Sequence, residues 1–273
     1  MRNNIETCGI AEVYKELRLA YPRLSNEEFD TLFNSSASLP YGAALVSEKQ
    51  ITRACREKMM GNFARRSSGT AVEYITGSAD FMGFTFEMKD GVFIPKNSTE
   101  ALVDKLLKIS SPGMRLLDVG CGSGNICITA AKLGNFFVTA CDINPAAVAL
   151  TRKNAEKMSV DIRVLKSDLF SEIKGTFDII ACNPPYINEG EALDEAVMSQ
   201  PREALFSGGD GLDCIKKIAR QAHLYLNESG RLFLEMGAGQ RGDVEKELLE
   251  NGWKNVSFAK DLSGITRIAE ASC

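Results

Sequence analysis

The sequence predicts an α/β protein, a doubly wound and mostly parallel sheet preceded by a small helical bundle, with a β-hairpin between them. Three observations carry this prediction. Short apolar segments of strand length alternate with helical patterns through the second half of the chain. A loop with glycines at alternate positions follows the first of these strands and opens the first crossover helix. The leading segment, to about Tyr74, shows helical spacing and helix-start signals instead. The chain has 273 residues, 44% hydrophobic and 25% charged, which allows a large core.

From the N-terminus, Ser25-Asn26-Glu27-Glu28 and Ser47-Glu48-Lys49-Gln50 each fit a capping box. Ile51, Ala54, Cys55 and Met59 then fall at helical spacing. Period-two alternation begins at Phe81-Met82-Gly83-Phe84-Thr85-Phe86-Glu87. Asp90-Gly91 reads as the hairpin turn and Val92-Phe93-Ile94 as the returning strand. The strands that follow are Leu116 to Val119, Phe136 to Asp142, Ile162 to Leu165, Phe177 to Cys182 and Arg231 to Met236. Asn144-Pro145 supplies an N-cap and a first-turn proline to one intervening helix. The expected division is residues 1–74 helical, 75–96 a hairpin linker, and 97–273 the sheet domain.

Charge and composition exclude several classes. Lys plus Arg total 32 against 36 Asp plus Glu, a net charge of −4, so general attraction to nucleic acid is not expected. No apolar run reaches the ~18 residues of a membrane span, and Met1-Arg2-Asn3-Asn4-Ile5-Glu6 lacks a secretion signal's apolar stretch, so a cytoplasmic location is expected. The eight cysteines (Cys8, Cys55, Cys121, Cys127, Cys141, Cys182, Cys214, Cys273) contain no C-x-x-C and read as reduced thiols. With His223 the single histidine, no metal site is expected.

The candidate ligand loop is Asp118-Val119-Gly120-Cys121-Gly122-Ser123-Gly124-Asn125. It fails the G-x-G-x-x-G dinucleotide spacing, because the sixth position from Gly120 is Asn125. Asp118 before the loop would repel a pyrophosphate and suits an ammonium group. Asp142, followed by Ile143, ends the next strand, where a carboxylate can accept both ribose hydroxyls. Asp168, followed by Leu169, ends the third and could accept from an adenine amino group. Three carboxylates at successive strand ends describe an amino-acid nucleoside, and S-adenosylmethionine is the economical choice, giving S-adenosylhomocysteine as product.

After the fourth strand stands Asn183-Pro184-Pro185-Tyr186, stiffened because each proline confines the residue before it to extended conformations. The Asn183 side-chain oxygen and the Pro184 carbonyl can each accept one hydrogen of a planar NH2, with Tyr186 against its flat face. The chemistry that follows is methyl transfer to an amide or base amine held in line with the donor.

On these residues the sequence resembles the glutamine-N5 methyltransferases of peptide chain release factors, within the Asn-Pro-Pro-Tyr amino-methyltransferases. Tyr74-Ile75-Thr76-Gly77, Phe81-Met82-Gly83, Phe93-Ile94-Pro95 and Thr99-Glu100 carry the resemblance, as do Gly208-Gly209-Asp210-Gly211-Leu212, Leu234-Glu235-Met236-Gly237 with Gln240, and Asp261-Leu262-Ser263-Gly264-Ile265-Thr266-Arg267. It implies a seven-stranded Rossmann-like class I methyltransferase fold and a monomer. It also implies a release factor as partner, contacted by the helical bundle, and substrate contacts from Thr99 and Glu100 besides Asn183 to Tyr186. Two departures stand out. The family's Pro-Arg-Pro-Glu-Thr-Glu is Pro95-Lys96-Asn97-Ser98-Thr99-Glu100 here, and Gln200 replaces a glutamate before Pro201. The same chemistry on an adenine or cytosine amine, or on a ribosomal-protein glutamine, is the alternative.

Overall fold

The computed structural model describes residues 7–40, 43 and 47–272. They form two compact units, one of the described residues up to Gly77 together with 193–199, the other of residues 78–192 with 200–272.

The first unit contains β1 (Thr7–Gly9), α1 (Ile10–Ala20), α2 (Asn26–Ala37), β2 (Gln50–Thr52), α3 (Arg53–Ser67) and α4 (Val72–Thr76). The Ser25 box closes as expected: Ser25 Oγ accepts from Glu28 N–H at 3.2 Å and Glu28 Oε2 from Ser25 N–H at 3.2 Å. The Ser47 box does not start a helix. Ser47 Oγ accepts from Lys49 N–H, and Ile51 lies in β2, which pairs antiparallel with β1. The helix starts later, where Thr52 Oγ1 accepts from Cys55 N–H at 3.2 Å. Its core is aromatic, with Tyr14 edge-on to Phe29 and Phe33 at centroid distances of 5.1 and 5.0 Å.

The second unit begins with a hairpin of β3 (Ser78–Phe81) and β4 (Phe84–Glu87). The turn differs from the one expected. It is Met82-Gly83, both at positive φ (47° and 79°), the geometry a two-residue hairpin requires. Asp90-Gly91 makes only a local turn closed by Val92 N–H to Lys89 C=O, and Val92–Ile94 is not a strand. The hairpin belongs to this unit and is not a separate linker.

Then follow α5 (Asn97–Ile109), β5 (Arg115–Val119), α6 (Asn125–Gly134), β6 (Phe137–Asp142), α7 (Pro145–Lys157), β7 (Arg163–Lys166) and β8 (Phe177–Cys182). After α8 (Glu195–Met198) of the first unit come α9 (Arg202–Leu205), α10 (Asp213–Gln221), β9 (Leu226–Glu235), α11 (Arg241–Glu250), β10 (Ser257–Lys260) and β11 (Thr266–Ser272). The sheet order is β10-β11-β9-β8-β5-β6-β7, and only β11 runs against the others, pairing antiparallel with β10 on one side and β9 on the other. Alternate strand residues serve opposite faces. Leu116, Val138, Ala140, Ile179 and Ala181 join the layer with α5, α6 and α7, while Leu117, Val119, Cys141, Ile180 and Cys182 join the layer with α10 and α11.

Register places the chemistry. Val119 pairs with both Cys141 and Cys182, so Gly120, Asp142 and Asn183 emerge side by side at the carboxyl edge. Asp142 in turn pairs with Lys166, which puts Ser167 and Asp168 beside them. Chain order reverses between β5 and β8, the switch point where open α/β sheets bind ligands.

Candidate active site

A cavity of about 390 Å³ opens over this edge. Gly120, Cys121, Gly122, Asp142 and Ile143 line it from one side of the switch point, Asp168 and Leu169 from the next strand, and Asn183, Pro184 and Pro185 from β8. Gly120 and Gly122 have positive φ (78° and 56°), and a Cβ on either would meet nothing within 4 Å, so this backbone is bare toward a ligand. Gly124 lies behind the wall. A Cβ there would stand 2.6 Å from Ile128 Cδ1 and 3.0 Å from Thr151 Cγ2, so this glycine allows α6 to pack closely.

Asp142 is pinned at both oxygens: Oδ2 accepts from Gly122 N–H at 2.9 Å and Oδ1 from Asn144 N–H at 2.8 Å. An ionised carboxylate keeps further acceptor sites for hydroxyls. Burial pushes its pKa up, partly countered by these backbone donors, and Glu203 across the cavity adds to the rise.

The structure places Asp118 elsewhere than expected. It is 0% exposed beneath the loop, does not line the cavity, and its Oδ2 accepts from Cys127 N–H at 3.1 Å in the first turn of α6. Its Oδ1 has no hydrogen-bond partner among the described residues. Burial raises its pKa to about 7. It braces the helix start and does not meet a ligand's ammonium group.

Tyr186 and Glu100 also depart from expectation. Tyr186 does not line the cavity. Its ring packs on the α10–α11 layer, its hydroxyl donates to Glu235 Oε1 at 3.4 Å, and its carbonyl accepts from Gln240 Nε2 at 2.9 Å. Gly211 passes so close that a Cβ would lie 2.3 Å from the Tyr186 oxygen. The Gly208–Leu212 and Gly237–Gln240 motifs thus clamp the Asn-Pro-Pro-Tyr backbone, since Gln240 Oε1 also accepts from Gly237 N–H at 2.7 Å. Glu100 holds the hairpin turn, accepting from Met82 N–H at 2.8 Å. Thr99, 1% exposed, stands behind the site and accepts from Asn183 Nδ2 at 3.1 Å.

The two departures from the family pattern are structural neighbours of the wall. Gln200 Oε1 accepts from Ile94 N–H at 3.0 Å, tying the Phe93 segment to Pro201, and both Phe93 and Pro201 line the cavity. The Lys96 ammonium lies 5.5 Å from the Phe93 ring centroid. Sequence reasoning missed Phe93 as a wall residue, along with Glu203 and Lys217. It also gave no role to Glu235. The signal for Phe93 was present in Val92-Phe93-Ile94, whose outer members are 1% exposed while Phe93 is half-buried and lines the cavity beside Val92.

A bare glycine turn, a pinned strand-end carboxylate and a proline-braced asparagine round one cavity define the methyltransferase class. The methyltransferase small domain family matches residues 83–212. The release factor glutamine methyltransferase of Geobacter sulfurreducens is 36% identical over 220 residues, 79% of this chain and 76% of that protein. That of Koribacter versatilis is 34% identical over 255 residues, 90% of each. A solved methyltransferase from Pyrococcus furiosus shares the fold with a TM-score of 0.56 at 17% identity, over 79% of this chain and 96% of that one. The chain belongs to the release factor glutamine methyltransferase family. Among the described residues no helix is long and apolar enough to cross a membrane.

Proposed function

We propose that this protein transfers a methyl group from S-adenosylmethionine to the side-chain nitrogen of the glutamine in the Gly-Gly-Gln motif of peptide chain release factors. The observation that carries the reading is the Asn183 amide at the cavity edge, with Nδ2 engaged by Thr99 and Oδ1 without a partner among the described residues. That oxygen and the Pro184 carbonyl are two acceptors for the two hydrogens of a carboxamide NH2.

The residues present fit the methyl donor. Bare backbone at Gly120 and Gly122 leaves room beside a large ligand, Asp142 offers acceptor sites for ribose hydroxyls, and Ile143 and Leu169 are apolar walls for a flat base. Asp168, exposed at the same edge, can accept from its amino group. When bound, S-adenosylmethionine supplies an electrophilic methyl group on a sulfonium sulfur. Asn183 and Pro184 hold the acceptor nitrogen in place and polarise its N–H bonds as positive charge develops there. The clamp from Gly211 and Gln240 keeps these acceptors from moving.

On this reading the helical unit at residues 1–74 contacts the release factor, as the resemblance implies, and the enzyme works where its acceptor does, in the cytoplasm. Purified release factor incubated with the protein and S-adenosylmethionine should gain about 14 Da on its Gly-Gly-Gln peptide by mass spectrometry, the mass of one CH2. A gain on a DNA oligonucleotide or a ribosomal protein, with none on the release factor, would overturn the assignment.

A further inference from the structure

We infer that the tip of the β10–β11 hairpin, with Leu262 and Ile265 at its surface, is a docking point for the release-factor chain beside its target glutamine. The inference rests on the function proposed above and adds where along the sheet edge the acceptor lies.

The direction of approach comes from the cavity. From Asn183 it runs across the ends of β5, β6 and β7, lined by Gly120, Asp142 and Asp168, so a bound cofactor takes that side. On the other side of Asn183 come the end of β9, then β11, then β10, and neither Gly237–Gln240 nor Asp261–Arg267 lines the cavity. A chain that presents a glutamine to Asn183 has this side of the edge to lie on.

Register sets the distances. Cys182 pairs with Leu234 and Glu235 with Ile268, so Asn183, Glu235 and Ile268 stand at one level and residues 261–265 lie beyond it. β11 is two strand spacings from β8, about 10 Å. An extended chain covers ~3.3–3.6 Å per residue, so the third or fourth residue from the target glutamine reaches the tip. In between, the chain leaving β9 is Gly237-Ala238-Gly239, and a Cβ on Gly239 would meet nothing within 4 Å. The way across is open.

Leu262 is 77% exposed and Ile265 41%, yet the turn that carries them is firmly held. Asp261 Oδ1 accepts from Ser263 N–H at 2.9 Å and Ile265 N–H at 3.0 Å, while Asp261 N–H donates to Ile265 C=O at 2.8 Å. Arg267 pairs with Asp261 Oδ2 at 3.7 Å and donates from Nη1 to Met236 C=O at 3.4 Å. This ties the tip to the segment that Gln240 joins to the Tyr186 carbonyl. Two apolar side chains held out on an ordered turn lose little freedom when covered, and covering them takes apolar surface out of water. The matching group is an apolar side chain three or four residues from the glutamine.

The test uses the whole enzyme and an intact release factor. In the double variant Leu262→Ser with Ile265→Ser, KM for the release factor should rise roughly 10- to 100-fold, with kcat and cofactor Kd within about twofold and the thermal midpoint retained. Leu262→Met with Ile265→Val keeps the apolar surface and should hold KM within about threefold of the parent. Leu224→Ser, at a residue 67% exposed just before β9 at the opposite edge, should leave KM unchanged. A photoreactive side chain in place of Leu262 should cross-link to release-factor residues within about four positions of the glutamine.

An unchanged KM in the double variant, an equal rise in Leu224→Ser, or a cross-link far from the glutamine would overturn the docking role and leave the methyl transfer standing. So would a fall in kcat with a raised cofactor Kd, which would make the tip a brace of the site. If the parent methylates no release factor, the function proposed above fails and this docking role fails with it.

Discussion

Replacing Asp142 by asparagine separates ligand binding from folding, because the two respond to opposite features of the same side chain. The carboxylate accepts from Gly122 N–H at 2.9 Å and Asn144 N–H at 2.8 Å. The amide has one oxygen, so in either orientation one backbone N–H faces an NH2. Losing one charge-assisted bond costs about 1.5–3 kcal/mol. Against this, burial raises the Asp142 pKa despite these donors, so removing the charge relieves a desolvation cost that offsets this loss. Folding stability should therefore change by no more than ~1 kcal/mol, a shift of roughly 2–4 °C for a chain of this size. Ribose hydroxyls have no such offset. Weakening their bonds to the carboxylate by ~1.5–3 kcal/mol raises the S-adenosylmethionine Kd about 10- to 100-fold. Isothermal titration at pH 7.5 with a parallel thermal melt reads both quantities. A Kd within about twofold of the parent would show that the ribose is held elsewhere. A melt lowered by more than ~10 °C would show that the carboxylate is chiefly a brace of the loop.

Asn183→Ala should lower turnover by roughly 10²- to 10³-fold while cofactor Kd stays within about threefold, measured by steady-state methylation and titration; equal losses in both would refute its place opposite the acceptor. Gly124→Ala should destabilise by about 2–4 kcal/mol in urea unfolding, combining left-handed strain at φ 88° with a Cβ pressed against Ile128 and Thr151. An unchanged midpoint would mean that the loop has room to give. Asp118→Asn should flatten the pH profile of stability. The folded pKa of Asp118, about 7, lies above its ordinary 3.8, so its contribution is full below about pH 4 and is lost as pH rises to 7. At ~1.4 kcal/mol per pH unit the parent should lose about 2–3 kcal/mol more than the variant between pH 5 and 7, and parallel profiles would refute the shift.

What could be read in the sequence depended on whether the governing partners were local. The five parallel strands β5 to β9 and the Gly120–Gly124 turn declare themselves, because each strand carries a short apolar run between helical patterns and a bare loop needs glycine. The edge strand β10 and its neighbour β11 did not, since half-exposed Ser257–Lys260 has no continuous apolar run. Ser47 carries every local mark of a helix start, yet the Gln50–Thr52 segment is claimed by a pairing with Thr7–Gly9, more than forty residues away. Asp90-Gly91 is the stronger hairpin dipeptide on paper, but Met82-Gly83 takes the turn because Glu100 reaches across to its backbone. Asn183 and Asp142 were legible from their strand ends. The burial of Asp118, the inward turn of Tyr186 and the bond from Asn183 to Thr99 were not, as each depends on which distant residue lies against it.

The excursion at residues 193–199 makes the larger unit discontinuous along the polypeptide. Ala71 N–H donates to Ser199 Oγ at 3.3 Å, and Gly69 would bring a Cβ within 3.0 Å of Glu195 Cβ, so this short stretch is bound to chain laid down long before it. A protein trimmed after Gly77 would therefore carry an orphaned α8 in the middle of its sheet portion. Anyone seeking a minimal catalytic fragment must also bridge Ala192 to Gln200, or expect a sticky loop.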